Sequence, residues 1–109
     1  MDEYFEIPWR NDPLWSMDLT LNGTLYEMKA KWWPFYEFWT IDLLQIDQTP
    51  IFTGLKLVYG ADLFSQFQNV PGMPEGQLYC IHDDETEKQP PGRYAFQEHA
   101  SVIYVQPSV

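Results

Sequence analysis

The fold of this chain is decided by the stretch "MDLTLNGTLYEMKA", residues 17–30, in which apolar and polar residues alternate on both sides of Asn22-Gly23. An Asn-Gly pair between two alternating segments is typical of a β-hairpin with a two-residue type I′ turn. Such a turn pairs residues whose numbers add up to 45, the sum of 22 and 23. One face of the hairpin is then apolar in both strands, whereas a shift of one residue would turn Met17 and Leu19 outward. The pattern therefore predicts both the hairpin and its register.

Further short strands are predicted on either side of the hairpin, separated by turns rich in Pro, Gly and Asp. The segment 36–46 is apolar on both faces, which indicates a central strand that is covered on both sides. Asp42 lies inside it, and we interpret it as a structural carboxylate bonded to a loop amide. Asp62 is predicted to be the N-cap of a short helix. The other predicted strands are 3–8, 51–59 with a hinge at Gly54, 77–82 and 101–106.

These elements predict a mainly β fold, a small antiparallel β-barrel or sandwich with one short helix. The chain has 109 residues, of which 45% are hydrophobic, and it contains no repeat of fixed period. A chain of this length and composition can bury one modest core. We therefore expect a single domain over residues 1–109.

The charge and the cysteine content exclude several classes of protein. The net charge is −10, with 16 acidic residues against six basic ones, which argues against direct binding to nucleic-acid phosphates. A single cysteine, Cys80, cannot form an intrachain disulfide. The N-terminus lacks the pattern of a signal peptide, and no apolar run approaches the ~20 residues of a spanning helix. We expect a chain that is made in the cytoplasm and does not enter a membrane.

No arrangement of residues in the sequence favours catalysis or metal binding. Cys80 and His82 lie two apart on a predicted strand, which is a common chance pairing, and His99 is the other imidazole. Metal-ligand spacings such as CxxC, HExxH and the EF-hand loop do not occur. The acidic run at residues 83–87 is interpreted as a solvated loop. We expect no enzyme, no catalytic residue, no metal site and no cofactor.

The aromatic stretch "KWWPFYEFW", residues 31–39, exceeds what one hairpin needs to cover its face. Alternation assigns Trp32 and much of 35–39 to the core and turns Trp33 to the opposite face, where Pro34 hinders further pairing. Tryptophan is enriched at the centres of protein interfaces. Trp9 and Trp33 are therefore predicted to be exposed or to contact a partner.

Several blocks, in order along nearly the whole chain, resemble the small baseplate plug proteins of contractile-tailed bacteriophages. The most specific block is "TPIFTGLKLVYGADLFSQF", residues 49–67. Two stretches depart from the family pattern, the aromatic residues 31–39 and the segment 94–99. The other matching blocks are "YFEIP" (4–8), "LNGTLY" (21–26), "WTIDL" (39–43), "GQLYCIHDD" (76–84) and "ASVIYV" (100–105).

The resemblance implies a structural protein of the virion, located in the tail baseplate and assembled in the host bacterial cytoplasm. Its implied partners are other phage tail proteins (hub, tube or spike), in multiple copies of a symmetric assembly, and it would help to close the tail end. Docking would use apolar patches, or strand addition at an exposed sheet edge. The candidate interface residues are Trp9, Trp33, Phe35 and Tyr36.

Two other functions fit parts of the sequence. A small acidic inhibitor that binds a basic enzyme or mimics nucleic acid would account for the charge of −10. Such a mimic should align its carboxylates along one surface, whereas many of these fall in predicted turns and strand ends. A sugar-binding module would instead use Trp9, Trp33 and Trp39 as a stacking platform.

Overall fold

The computed structural model describes residues 3–84 and 86–107, which form two antiparallel sheets with the core between them. One sheet has the order β1-β7-β6 and the other the order β2-β3-β4-β5. The sheets do not close into a barrel, so the fold is a sandwich, and the prediction of a mainly β chain is confirmed. The strands are β1 (Glu3–Glu6), β2 (Leu14–Leu21), β3 (Thr24–Trp33), β4 (Phe38–Gln45), β5 (Pro50–Lys56), β6 (Gln77–His82) and β7 (Ala100–Gln106); a 3-10 turn (Ser65–Phe67) and a helix α1 (Ala95–Glu98) complete the elements.

The β2–β3 hairpin has the predicted register along its whole length, from Leu21 paired with Thr24 to Leu14 paired with Lys31. Both turn residues have left-handed backbone angles, with φ of 50° at Asn22 and 82° at Gly23. A type I′ turn requires positive φ at both positions, which asparagine and glycine adopt most readily. The sequence prediction of the hairpin is therefore confirmed.

Strand β4 is the central element that the sequence predicted. Its residues Trp39, Ile41 and Leu43 on the core face are completely buried, and Thr40 and Leu44 on the opposite face are buried as well. The Asp42 Oδ1 atom accepts a hydrogen bond from the Gly54 backbone N–H at 2.7 Å. Gly54 has φ of 71°, and the β4–β5 register shifts opposite Asp42. The interpretation of Asp42 as a structural carboxylate bonded to a loop amide is confirmed.

Several predicted boundaries are wrong. The predicted strand 3–8 ends at Glu6, and the predicted strand 51–59 ends at Lys56. Strand β4 begins at Phe38 rather than at residue 36, because residues 34–37 form a turn in which Glu37 has φ of 58°. The helix after Asp62 is a single 3-10 turn that begins at Ser65, and its N-cap is Phe64. The Asp62 carboxylate instead accepts hydrogen bonds from the backbone N–H groups of Phe64 and Leu78, both at 3.1 Å. Asp62 thereby ties this turn to β6.

The segment 57–63 closes one side of the sandwich. It leaves β5 with the Leu57 N–H bonded to the Trp39 carbonyl oxygen at 3.0 Å, and then runs along β6. There Gly60 N–H donates to the Cys80 carbonyl oxygen and Leu63 N–H donates to that of Leu78. Each sheet has a second outer strand. In the three-stranded sheet it is β1, at the edge away from β6, and in the four-stranded sheet it is β2, at the edge away from β5.

Replacing Asp42 by alanine should lower the free energy of unfolding by about 1–3 kcal/mol, because the Gly54 N–H loses a charge-assisted partner. Urea denaturation would measure the change. Asp12→Ala is the matched control, since Asp12 lies in an exposed bend and should change stability by less than about 0.5 kcal/mol. Equal effects of the two substitutions would contradict this role of Asp42.

Candidate protein interface

The most exposed aromatic surface of the chain lies at the turn between β3 and β4. Trp33 and Phe38 pair at the end of the ladder, and the Glu37 N–H donates to the Trp33 carbonyl oxygen at 2.7 Å to close the turn. The two aromatic residues inside the turn are exposed to solvent, Phe35 by 88% and Tyr36 by 63%. We call Trp33, Phe35, Tyr36 and Phe38 the aromatic tip.

The rings of the aromatic tip contact one another and two lysines. Tyr36 lies 5.2 Å from Phe35 edge-on and 5.7 Å from Phe38 in a stacked arrangement, measured between ring centroids. The Lys31 Nζ lies 3.9 Å from the centre of the Trp33 ring, and the Lys56 Nζ lies 4.9 Å from the centre of the Phe38 ring. Cation–π contacts of this kind hold the rings and place positive charge beside them. The tip is therefore an apolar surface flanked by two lysines, with the exposed Glu37 in the same turn.

Trp33 anchors the base of the tip. Its Nε1–H donates to the Thr40 Oγ1 at 2.8 Å, and Thr40 is buried on the neighbouring strand. The indole is half-buried, on the face of the sheet that points away from the core. Trp33 thus has a structural bond and one open side, whereas Phe35 and Tyr36 are fully available to a partner.

Trp9, the fourth predicted interface residue, lies elsewhere. Its ring packs at 4.9 Å from Trp15, 5.1 Å from Trp39 and 4.3 Å from Phe96, and it is half-buried against the core. The structure therefore brings Trp33, Phe35 and Tyr36 together and places Trp9 in an interior aromatic cluster. The expectation that much of 35–39 fills the core is wrong for Phe35 and Tyr36, because these residues form the turn.

The sequence did not predict Phe38 as a member of the aromatic tip, nor the two lysines that contact it, Lys31 and Lys56. Lys31 could have been found, because alternation places it on the same face as Trp33. Phe38 was assigned to the long strand 36–46, so its position opposite Trp33 depended on recognising the turn. Lys56 comes from β5, and only the register with Thr40 on β4 brings it to this face.

The sugar-platform hypothesis requires Trp9, Trp33 and Trp39 to share a surface, and they do not. Trp39 is completely buried and points into the core, whereas Trp33 lies on the other face of the sheet. Neighbouring positions on β3 and β4 alternate between faces, which explains the separation. The three rings cannot stack on one oligosaccharide, and this hypothesis is wrong.

Many carboxylates bond to the chain's own backbone. Within the acidic run, Asp84 accepts hydrogen bonds from the Thr86 hydroxyl and backbone N–H, and these bonds lower the pKa of Asp84. Asp47 accepts the Thr49 N–H in the turn before β5, which likewise lowers the pKa of Asp47. Glu87 accepts the Gln89 N–H. Together with Asp42 and Asp62, these groups build turns, which disfavours the aligned acidic surface that a nucleic-acid mimic needs.

Cys80 and His82 do not form a reactive pair. Cys80 is completely buried, and burial raises the pKa of its thiol to about 12, so the thiolate is not populated at neutral pH. The His82 Nδ1 accepts the Asp84 backbone N–H at 2.8 Å, and the His82 ring lies 5.6 Å from the His99 ring. The imidazole therefore shapes the start of the acidic loop.

Among residues 3–84 and 86–107, His, Cys, Asp and Glu side chains nowhere form a group of three or more that could hold a metal ion. In the same residues no helix is long and apolar enough to cross a membrane.

The chain matches the model of the family described as cyanophage baseplate Pam3 plug gp18 over residues 4–107. The chain belongs to this family. The resemblance inferred from the sequence blocks is thereby confirmed, and it extends over β1 to β7. No individually curated protein matches the chain. A structural role in a phage baseplate is consistent with this plug family and with the β-rich fold.

Stability should fall in alkaline solution because burial raises the pKa of four acids, Tyr26, Tyr59, Cys80 and Tyr104, which then resist ionisation. Burial raises the pKa of Cys80 and that of Tyr104 to about 12 each, from ordinary values of 9.0 and 10.0. Since the folded pKa values exceed the unfolded ones, this stabilisation is complete below about pH 9 and is lost as the pH rises toward 12. Urea denaturation at a series of pH values would measure the loss.

Cys80→Ala removes one of these ionisations and should flatten the decline above pH 9. Tyr4→Phe is the control, because Tyr4 is exposed and its removal should leave the profile unchanged. If the free energy of unfolding of Cys80→Ala declined with pH as steeply as that of the wild type, burial of the thiol would not contribute to the loss of stability above pH 9.

Proposed function

We propose that the chain is a structural component of a phage tail baseplate, a plug-like protein that docks to the central hub or tube and helps to close the tail end. The observation that carries the proposal is the family match over residues 4–107 of the 109-residue chain. The exposed aromatic tip adds the physical means of docking. The chain acts as one domain over residues 1–109, without catalysis.

The aromatic tip is the contact that we propose for another tail protein. Large aromatic side chains supply the most binding energy when a partner removes them from water, and Phe35 and Tyr36 are the most exposed members of the tip. Trp33 is bonded to Thr40 at the base of the tip, so its side chain is already fixed before a partner binds. Trp9 would support the same end of the sandwich from inside.

The border of the tip indicates the chemistry of the partner surface. Lys31 and Lys56 flank the rings and are two of the six basic residues in a chain of net charge −10. An apolar pocket with carboxylates at its rim would match both the rings and the ammonium groups. We propose such a pocket on a hub, tube or spike protein.

Several features of the proposal follow from the family and from the charge. The protein would be present in several copies of a symmetric baseplate, and it would be assembled in the host bacterial cytoplasm. Its excess of carboxylates disfavours contact with DNA, because phosphate binding depends on clustered lysine and arginine. No ligand or cofactor is needed for a docking function.

The double variant Phe35→Ser/Tyr36→Ser should stay folded but enter tails about tenfold less well, since each exposed ring contributes to docking and little to the core. Phage lacking the gene would be complemented with each variant, and the chain would be counted in purified particles. Thermal denaturation of the isolated domain would show that the melting temperature is retained.

Tyr94→Ser is the matched control, because Tyr94 is 57% exposed but lies outside the tip. Incorporation of this control at the wild-type level, together with loss of the double variant, would support docking through the tip. Equal incorporation of all three proteins would contradict it while leaving the baseplate location intact.

A further inference from the structure

The four sheet edges of the sandwich differ in how they are protected. The outer edge of β6 is bonded to the segment 59–63. Strand β5 carries Pro50 at its start, a register shift at Gly54 and Lys56 at its end, all of which hinder pairing with another strand. Strand β1 is four residues long and contains two glutamates. Strand β2 has none of these protections except the single charge of Asp18.

Strand β2 is regular over eight residues, without a proline or a bulge. The Trp32 N–H donates to the Pro13 carbonyl oxygen at 2.7 Å, which fixes the odd-numbered residues of this segment as the ones bonded to β3. The even-numbered residues therefore direct their backbone N–H and C=O groups away from the sheet. The even-numbered residues are Leu14, Ser16, Asp18 and Thr20. Among the described residues none forms a hydrogen bond with the backbone N–H or C=O group of any of these four.

The side chains beside this edge are also incompletely covered. Met17 and Leu19 point to the core face but stay half-buried, whereas their partners Met28 and Tyr26 on β3 are buried. An added strand would both bond the free backbone groups and cover these two side chains. A long, regular edge of this kind is a ready template for another strand.

We propose that the free edge of β2 pairs with β2 of a second copy of this chain, antiparallel and about a two-fold axis at Met17. In that register Leu14 faces Thr20 of the second copy and Ser16 faces Asp18. The backbone N–H and C=O groups of all four residues then form hydrogen bonds between the two copies. Met17 faces its own symmetry mate on the core side, where the closer spacing of a non-hydrogen-bonded pair favours side-chain contact. Such an interface is isologous and closes at two copies.

Charge disfavours one of the two neighbouring registers. A shift of the axis to residue 18 would place Asp18 opposite Asp18 of the second copy, and directly opposed like charges on paired strands are destabilising. The axis at Met17 instead places each Asp18 opposite a serine hydroxyl, which can donate to the carboxylate. A net charge of −10 on each copy still opposes association, so added salt should strengthen the pair.

This pairing concerns the free chain and does not depend on docking through the aromatic tip. It gives the unprotected edge a partner wherever the chain is not held by another protein. The alternative occupant of the same edge is a strand of a different tail protein, which would protect it only in assembled tails.

Sedimentation equilibrium over a concentration series should show a monomer–dimer equilibrium, and three substitutions test the register. Ser16→Asp places two new carboxylate pairs across the axis and should raise the dissociation constant about tenfold, and Ser16→Lys should lower it about tenfold. Thr20→Asp adds the same charge on the same exposed face but opposite Leu14. It should change the constant by less than about threefold.

Amide hydrogen exchange, followed residue by residue, gives a second readout. As the concentration rises, the amides of Ser16 and Asp18 should become protected, whereas those of Met17 and Leu19, already bonded to β3, should not change. A monomer at every concentration, or equal effects of Ser16→Asp and Thr20→Asp, would overturn the proposal. Protection of the Ser16 and Asp18 amides only in assembled tails would assign the edge to another tail protein instead and would also overturn it.

Discussion

The burial of Trp39 is the interaction on which the rest of the structure depends. Its indole is completely buried, its Nε1–H donates to the Gly92 carbonyl oxygen at 3.0 Å, and its ring contacts three other aromatic residues. These come from three separate parts of the chain: the segment after β1, the end of β3 and the helix α1. The contacting rings are Trp9, Trp32 and Phe96. One side chain of the central strand thus joins β3 to the segment after β1 and to the loop and helix between β6 and β7.

The surface that remains follows from this arrangement. Because Trp39 and Trp32 point into the core, alternation turns Trp33 and Phe38 to the opposite face, and the four-residue turn between them carries Phe35 and Tyr36 into solvent. The same sheet ends at the edge strand β2, whose outward-facing backbone groups accept or donate no hydrogen bond among the described residues. Both the aromatic tip and the edge of β2 are available for contacts, and a plug protein must contact other components of a baseplate.

Local chemistry made part of the fold predictable. Asn22-Gly23 specified the hairpin because its turn type accepts few other residues, and a carboxylate inside an apolar strand required a donor such as the Gly54 N–H. The turn at residues 34–37 escaped prediction because it places a left-handed backbone at Glu37, where neither glycine nor asparagine marks it. The burial of Trp9 depends on contacts with residues far along the chain, which alternation cannot reveal.

The claim that this chain is a baseplate component is tested most directly by quantitative mass spectrometry of purified phage particles and of baseplates isolated from them. The chain would be counted against the tail-tube protein. A few fixed copies in each particle, retained in the isolated baseplates, is the result that the account predicts. Absence from particles, with abundance early in infected cells, would contradict it and would favour an acidic inhibitor.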